Sequence, residues 1–183
     1  MNKIVELNTE SQAHEGRSVT PVTDDSKYLD HLKKINDIYY DQIRIADQKA
    51  AYIFTFMLAF LVSSAEARSV FRLQRLLESE PLVAALSIFF AAGAVVTLVS
   101  AVLVVLPRHV RSSTSLYWKG WATNRSRLLD ARGTGDPAYL FGQYLENVDN
   151  LAAVNRSKYR FVAIAFRGLM AVILAYLTLL FMA

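Results

Sequence analysis

One segment of the chain, residues 82–106, contains 25 consecutive residues without a single charged side chain. An α-helix of this length extends about 37 Å, enough to cross the hydrocarbon core of a bilayer, which is about 30 Å thick. Pro81 suits the first turn of such a helix, and Pro107 suits its end. The segment therefore predicts a transmembrane helix, and it argues against a simple soluble enzyme.

Two further apolar blocks flank this segment. Residues 50–65 carry no charge over 16 positions, about 24 Å of helix, which is short for a bilayer unless Lys49 and Arg68 reach out to the headgroups. Residues 161–183 are interrupted only by Arg167. We therefore predict three transmembrane helices, one for each apolar block.

Basic residues are unevenly distributed between the two connecting segments. Residues 107–160 carry nine Lys or Arg and four acidic residues, whereas residues 66–80 carry three of each. Because positively charged loops tend to stay on the cytoplasmic side, we expect 107–160 to be cytoplasmic and 66–80 to lie outside. The N-terminus is then cytoplasmic and the C-terminus lies on the outer side.

The two cytoplasmic segments show helical periodicity where they approach a span. Residues 1–24 are polar and predict a flexible tail, but residues 25–49 repeat apolar side chains with no helix breaker before the first span. The end of 107–160 repeats this pattern before the third span. The two stripes are Tyr28, Leu32, Ile35, Tyr39, Gln42 and Ala46, and Phe141, Tyr144, Val148, Leu151, Asn155 and Tyr159. Each stripe needs a partner, either the other stripe or a neighbouring subunit.

The predicted fold is an all-α membrane protein in which residues 25–183 form the membrane domain. Three transmembrane helices cross the bilayer, and helical cytoplasmic stalks extend from the first and third spans. Gly93, Thr97 and Ala101 occupy every fourth position of the second span. Such a row of small residues predicts close contact with a neighbouring helix.

The composition excludes several kinds of catalysis. The chain has no cysteine, which excludes thiolate nucleophiles, cysteine-bound zinc and disulfides. Its three histidines are far apart in sequence, and Gly133 and Gly135 lack the further glycine of a phosphate-binding loop. The net charge of +4 is too small to indicate a nucleic-acid partner. We expect no enzyme, no metal and no cofactor.

Ionisable side chains near the predicted bilayer boundaries each allow two interpretations. Asp47 and Lys49, just before the first span, either anchor the helix at the headgroups or couple the stalk to the span. Arg167 lies six residues past Phe161, about 9 Å deeper. It either reaches back to the cytoplasmic headgroups or faces the bundle interior or a pore.

An aromatic cluster follows the second span. Tyr117, Trp118 and Trp121 lie close together in sequence, beside the basic residue Lys119. Aromatic rings at this position are most simply a membrane-interface belt, and the alternative is a surface on which a ligand base stacks.

Three short motifs, in order along the chain, resemble those of the Pycsar effectors, membrane proteins of bacterial anti-phage defence. Residues 46–50 (ADQKA) are similar to the entry of that family's first span, and residues 116–121 (LYWKGW) to its aromatic-glycine motif after the second. Residues 157–159 (SKY) are similar to the entry of its last span. The resemblance covers about residues 26–183.

This resemblance implies a function. A partner pyrimidine cyclase would make cyclic UMP or cyclic CMP during infection, and the effector would bind this nucleotide as its activating ligand. The effector would lie in the bacterial inner membrane, with its C-terminus in the periplasm. It would then impair the integrity of that membrane, as a homo-oligomer, and kill the infected cell before phage mature.

Under this hypothesis basic groups bind the cyclic phosphate and aromatic faces stack on the base. The candidate phosphate ligands are Arg111, Lys119, Arg125 and Lys158, and the candidate stacking residues are Tyr117, Trp118, Trp121 and Tyr144. Asp47, Lys49, Gly93 and Arg167 are the candidates for coupling the ligand to the spans.

Two other functions fit the same sequence. One is a small homo-oligomeric ion channel, and the other is a non-enzymatic membrane scaffold that docks a cytoplasmic partner.

Overall fold

The computed structural model describes residues 22–72, 80–107 and 114–182, and these are almost entirely helical. The helices of the described chain are α1 (Val22–Ser63), α2 (Ala65–Ser69), α3 (Pro81–Val105), α4 (Trp118–Thr134) and α5 (Pro137–Phe181). The predicted all-α fold is confirmed. Most of the predicted N-terminal tail, residues 1–21, lies outside the described residues.

The helices α1, α3 and α5 are long and apolar enough to cross a membrane, which confirms the three predicted spans. Helix α1 continues for 42 residues from stalk into span without a break, and α5 does so over 45 residues. Helix α1 begins three residues before the predicted stalk, and it ends at Ser63, two residues before the predicted end of the span. The earlier end arises because Ser64 leaves the helix to cap α2, where its hydroxyl accepts a hydrogen bond from the Ala67 amide at 3.1 Å.

A tight turn joins α4 to α5. Gly135 has φ of 68°, a left-handed conformation that glycine adopts without steric cost at a helix C-terminus. Asp136 then caps α5 by accepting a hydrogen bond from the Ala138 amide at 2.9 Å, and Pro137 starts the first turn. The two helices therefore form a hairpin that places α4 against the first turns of α5.

Buried positions in the three long helices follow one spacing. They alternate by three and four residues, a period of 3.5 that produces a left-handed coiled coil. The series are Ala46, Ala50, Ile53 and Met57 in α1, Ser87, Phe90, Ala94, Thr97, Ala101 and Val104 in α3, and Val148, Leu151, Asn155, Lys158, Val162 and Ala165 in α5. The predicted stripes were wrong at Tyr28, Phe141 and Tyr159, which are exposed. After Asn155 the next buried position is Lys158. The apolar pattern of the sequence predicted its neighbour Tyr159 instead, because lysine is charged.

Helices α1 and α5 lie side by side and run parallel. Their cross-helix contacts keep a nearly constant offset: Asn147 bonds to Asn36 and Lys158 to Asp47, both 111 residues apart. At the far end, Tyr176 and Ser64 are 112 residues apart and share a hydrogen bond at 3.3 Å. Stalk and span thus keep a single register, and the two predicted stalk stripes are partners within one chain.

Helix α3 runs antiparallel to α5 and approaches it most closely at two glycines. A Cβ atom on Gly93 would lie 2.9 Å from Val172 Cγ2, and one on Gly168 would overlap Thr97 Oγ1. The Thr97 hydroxyl donates to the Gly93 carbonyl at 2.7 Å. The predicted row of small residues in the second span is therefore packed against α5, at a point where Gly168 supplies the matching space.

An aromatic cluster holds the three long helices together at the end opposite the stalks. Phe60, Phe90 and Tyr176 come from α1, α3 and α5 respectively, and the Phe60 and Tyr176 rings meet edge to face with centroids 4.9 Å apart. Such ring pairs contribute about 0.5–1.5 kcal/mol beyond the area they bury.

The glycine contact predicts the outcome of a small mutant series. Gly168→Ala would force its Cβ into Thr97 Oγ1 and lower stability by about 1–3 kcal/mol. Thr97→Ala removes the obstructing atom, so the double variant loses less than the sum of the two single losses. Gly142→Ala is the matched control because nothing lies within 4 Å of its added Cβ. Thermal unfolding in detergent measures all four, and equal effects of Gly168→Ala and Gly142→Ala would contradict close packing.

Candidate functional site

Polar side chains lie buried between the stalk portions of α1 and α5. Asn147 donates from its amide to Asn36 Oδ1, and Asn155 donates to the Tyr39 carbonyl at 3.3 Å and to Gln42 Oε1 at 3.2 Å. The Asn155 Oδ1 atom is buried and has no hydrogen-bond partner within the described chain. Buried amides in a coiled coil specify register at some cost in stability. These amides therefore fix the register of α1 against α5, and the stalk is less stable than it would be with apolar residues at the same positions.

The three long helices meet at Lys158. Its ammonium forms an ion pair with Asp47 of α1 and donates to the Val104 carbonyl of α3 at 2.8 Å. That carbonyl belongs to the last turn of α3, where helical carbonyls lack intrahelical partners and a positive charge is favoured. Lys158 is only 5% exposed, whereas the Asp47 side chain retains 36% exposure. A single buried cation thus satisfies a carboxylate and a helix end at once.

This contact bears on two of the residues singled out in the sequence. Asp47 bonds across to another helix, which favours the coupling interpretation over simple anchoring. Lys158 lies inside the bundle rather than beside the aromatic residues with which it was grouped, so its ammonium is not open to a phosphate in this conformation. Lys49 is exposed and lies 5.8 Å from the centroid of the Tyr159 ring, a second contact between α1 and α5 at this level.

The aromatic–basic candidates are brought together at the start of α4. The Lys119 ammonium lies 5.1 Å from the centroid of the Trp118 ring, and the Tyr117 and Trp118 rings are 6.0 Å apart. Trp118, Trp121 and Arg125 are spaced by three and four residues, so they share one face of the helix, and all three are exposed. Trp118 retains 74% exposure, so its ring does not pack into the core of the chain.

The opposite face of α4 attaches the helix to α5. Tyr139 donates from its hydroxyl to the Asn124 carbonyl at 3.3 Å, and the Ser115 amide donates to Gln143 Oε1 at 2.6 Å. Gly120 and Asn124 are the buried residues of this face. Tyr144, on α5, is half-buried, and Arg111 lies outside the described residues. The face of α4 that carries Trp118, Trp121 and Arg125 therefore points away from α5.

A cavity of about 550 Å³ lies in the hairpin between α4 and α5. Its walls are mainly apolar, with Arg132 and Asp136 as the charged groups, and its volume is within the range of small-molecule sites. None of the predicted ligand residues lines it, although Arg132 lies two turns beyond Arg125 and so continues the same face of α4. Sequence reasoning missed this cavity because only the Gly135 turn brings its two walls together.

The remaining candidates lie in the spans. Gly93 is part of the close contact between α3 and α5. Arg167 is exposed on the outer side of α5, so it does not face the interior of the three-helix bundle. Among the described residues, no group of three or more His, Asp and Glu side chains could hold a metal ion.

Comparison with known proteins identifies a family. The Pycsar effector protein domain matches residues 31–183, which include all three candidate spans from the stalk of α1 onwards. Neither a curated protein nor a solved structure matches the chain.

The Lys158 contact predicts unequal effects for its two charged partners. Asp47→Asn leaves a buried ammonium without a counter-ion and should cost roughly 2–4 kcal/mol, towards the range of broken buried pairs. Lys158→Met leaves a carboxylate that is still partly hydrated, so its cost should be smaller. The double variant should be more stable than Asp47→Asn alone. Chemical unfolding of the protein in detergent measures the series, and an effect of Lys158→Met as large as that of Asp47→Asn would contradict this account.

Proposed function

Because the chain belongs to the Pycsar effector protein family, we propose that it is activated by cyclic UMP or cyclic CMP and then impairs the membrane that contains it. The family gives the chain a role in anti-phage defence and implies a partner cyclase. The nucleotide made by that cyclase binds the effector, the effector impairs the inner membrane, and the infected cell dies. The observation that carries the proposal is the exposed group of aromatic rings and cations on α4, held against a three-span membrane bundle.

The ligand lies on the outer face of α4. Trp118 and Trp121 stack on the base, while Lys119 and Arg125 bind the cyclic phosphate. The support for this arrangement is that the ammonium of Lys119 already lies over an exposed indole ring, so a cation and a stacking surface are preassembled. Tyr117 adjoins this group, with its ring centroid 6.0 Å from that of Trp118, whereas Tyr144 lies on α5 and Arg111 lies outside the described residues, so these two stay predictions from the sequence.

The signal passes along α5. Tyr139 of α5 bonds to α4, Gln143 of α5 bonds to Ser115 just before α4, and Lys158 lies 15 residues beyond Gln143 on the same unbroken helix, about 22 Å away. A ligand shifts the equilibrium only if it binds one arrangement of these helices more tightly than another. The arrangement that it disfavours is the one in which Lys158 pairs with Asp47.

Orientation and assembly form part of the same proposal. The excess of basic residues between the second and third spans supports a cytoplasmic position for α4, where a cyclase product accumulates. The N-terminus is then cytoplasmic, the C-terminus is periplasmic, and the protein acts as a homo-oligomer without catalysing a reaction.

A non-enzymatic scaffold is the second candidate function. Ile38 and Tyr40 are exposed on the stalk portion of α1 and could bind a cytoplasmic partner. A scaffold would co-purify with that partner and would show no nucleotide-dependent toxicity, which separates it from the first proposal.

Tryptophan fluorescence tests the ligand site directly, because Trp118 and Trp121 are the two tryptophans of the chain. Titration of the full-length protein in nanodiscs with cyclic UMP and cyclic CMP should change the fluorescence for at least one of them. Arg125→Glu should weaken binding at least tenfold, since charge-assisted hydrogen bonds contribute about 1.5–3 kcal/mol. Arg127→Glu is the matched control, exposed on the opposite side of α4. Equal affinities of the two variants would remove Arg125 from the site.

Dye entry tests the effect on the membrane. Bacteria that express the protein together with an active pyrimidine cyclase should admit a membrane-impermeant DNA dye, and cells with a catalytically inactive cyclase should not. Unchanged permeability while the nucleotide accumulates would refute the proposed function.

A further inference from the structure

Three arginines occupy one outward face of α5. Arg156, Arg160 and Arg167 are spaced by four and seven residues, which places them within about 40° of one another around the helix axis. All three are exposed. Thr178 continues the same face 11 residues further on and is also exposed.

This polar line crosses the membrane-spanning part of the helix. Arg160 lies two residues from Lys158, at the level where α3 ends, and Thr178 is 18 residues, or about 27 Å, beyond Arg160. Exposed apolar side chains border the line, among them Ile164, Met170 and Leu174. Arg167 therefore lies within an apolar surface, well inside the span.

The Arg167 guanidinium has no counter-charge at its depth. It forms no hydrogen bond or ion pair within the described chain, and residues 50–65, 82–106 and 161–183 contain no Asp or Glu. A second copy of the chain therefore also lacks a carboxylate to offer it in the span. Charged residues in membrane spans nearly always face a bundle interior or a water-filled cavity. Arg167 points out of its own bundle, so a water-filled cavity around it lies between copies unless its guanidinium reaches the cytoplasmic lipid headgroups about 9 Å away.

We propose that the α5 faces of neighbouring copies line a water-filled path for small anions, with Arg167 as its selectivity-determining residue. One copy supplies only one wall, so the path is incomplete without its partners. Ala163 and Ala171, one turn before and after Arg167, are small enough to allow helices to approach closely. Rings of arginine attract anions and repel cations, and Thr178 supplies hydroxyls for water at the far end. The inference deepens the proposed function, since it rests on the protein permeabilising the membrane.

Planar bilayers with a KCl gradient test the proposal with the full-length protein. The reversal potential is measured with and without cyclic UMP and cyclic CMP. For the wild-type protein it should lie closer to the equilibrium potential of chloride than to that of potassium. Arg167→Lys should keep this preference, Arg167→Gln should bring the ratio of chloride to potassium permeability close to one, and Arg167→Glu should invert it. Arg127→Gln is the charge-matched control and should leave the ratio unchanged. Thr178→Val provides a second variant, expected to lower conductance without altering selectivity.

The outcomes separate this inference from the proposed function. A nucleotide-dependent conductance without anion preference, or one unchanged in Arg167→Gln, overturns the anion path and leaves the proposed function standing. An anion-selective conductance that ignores both nucleotides supports the path and refutes the proposed activation. Dye entry in cells without any conductance in bilayers overturns the path alone. If Arg167→Gln instead lowers the amount of phosphatidylglycerol that co-purifies with the protein and leaves phosphatidylcholine unchanged, Arg167 binds lipid phosphate and the path is likewise overturned.

Discussion

The burial of one ammonium group organises this molecule. Lys158 neutralises Asp47 and supplies a hydrogen bond to the unsatisfied carbonyl of Val104, so α1, α3 and α5 meet at a single side chain. An isolated buried charge is costly, and the two contacts compensate only while all three helices keep their places. The pair therefore fixes the end of α3 against the other two helices, at the point where the three-helix bundle gives way to the two-helix stalk.

Different kinds of interaction stabilise the two ends of the bundle. Near the stalk, the contacts are an ion pair and buried amides, which lose their favourable energy as soon as geometry changes. At the opposite end, Phe60, Phe90 and Tyr176 pack as rings, and burial of apolar surface is not directional. A rearrangement that starts in α4 reaches the geometrically sensitive end first.

The sequence was sufficient for the fold and insufficient for the contacts. Uncharged blocks predicted three spans, because the bilayer fixes the length of a helix that crosses it, and the absence of breakers predicted continuous stalks. The apolar pattern predicted that Tyr159 is buried between the helices, but the buried residue is Lys158. A lysine is buried only where groups from other helices bind its ammonium, here a carboxylate and a carbonyl, and the sequence does not show that they meet. Gly93 was identifiable as a contact residue, but its partner Gly168 was not, since that pairing depends on how α3 and α5 are staggered. For the same reason, sequence alone grouped Lys158 with the aromatic residues of α4.

The constant offset between α1 and α5 restricts how the bundle can move. If α5 slid by one heptad towards the far end of α1, Lys158 would stand opposite Phe54 and Asn147 opposite Ile43. A charge and an amide would then be buried against apolar side chains together, and nothing would compensate for either. Sliding of α5 along α1 by a heptad is therefore strongly disfavoured. The remaining motions are rotation of a helix about its own axis and separation of α1 from α5. Both change the interface between the two helices without shifting its register.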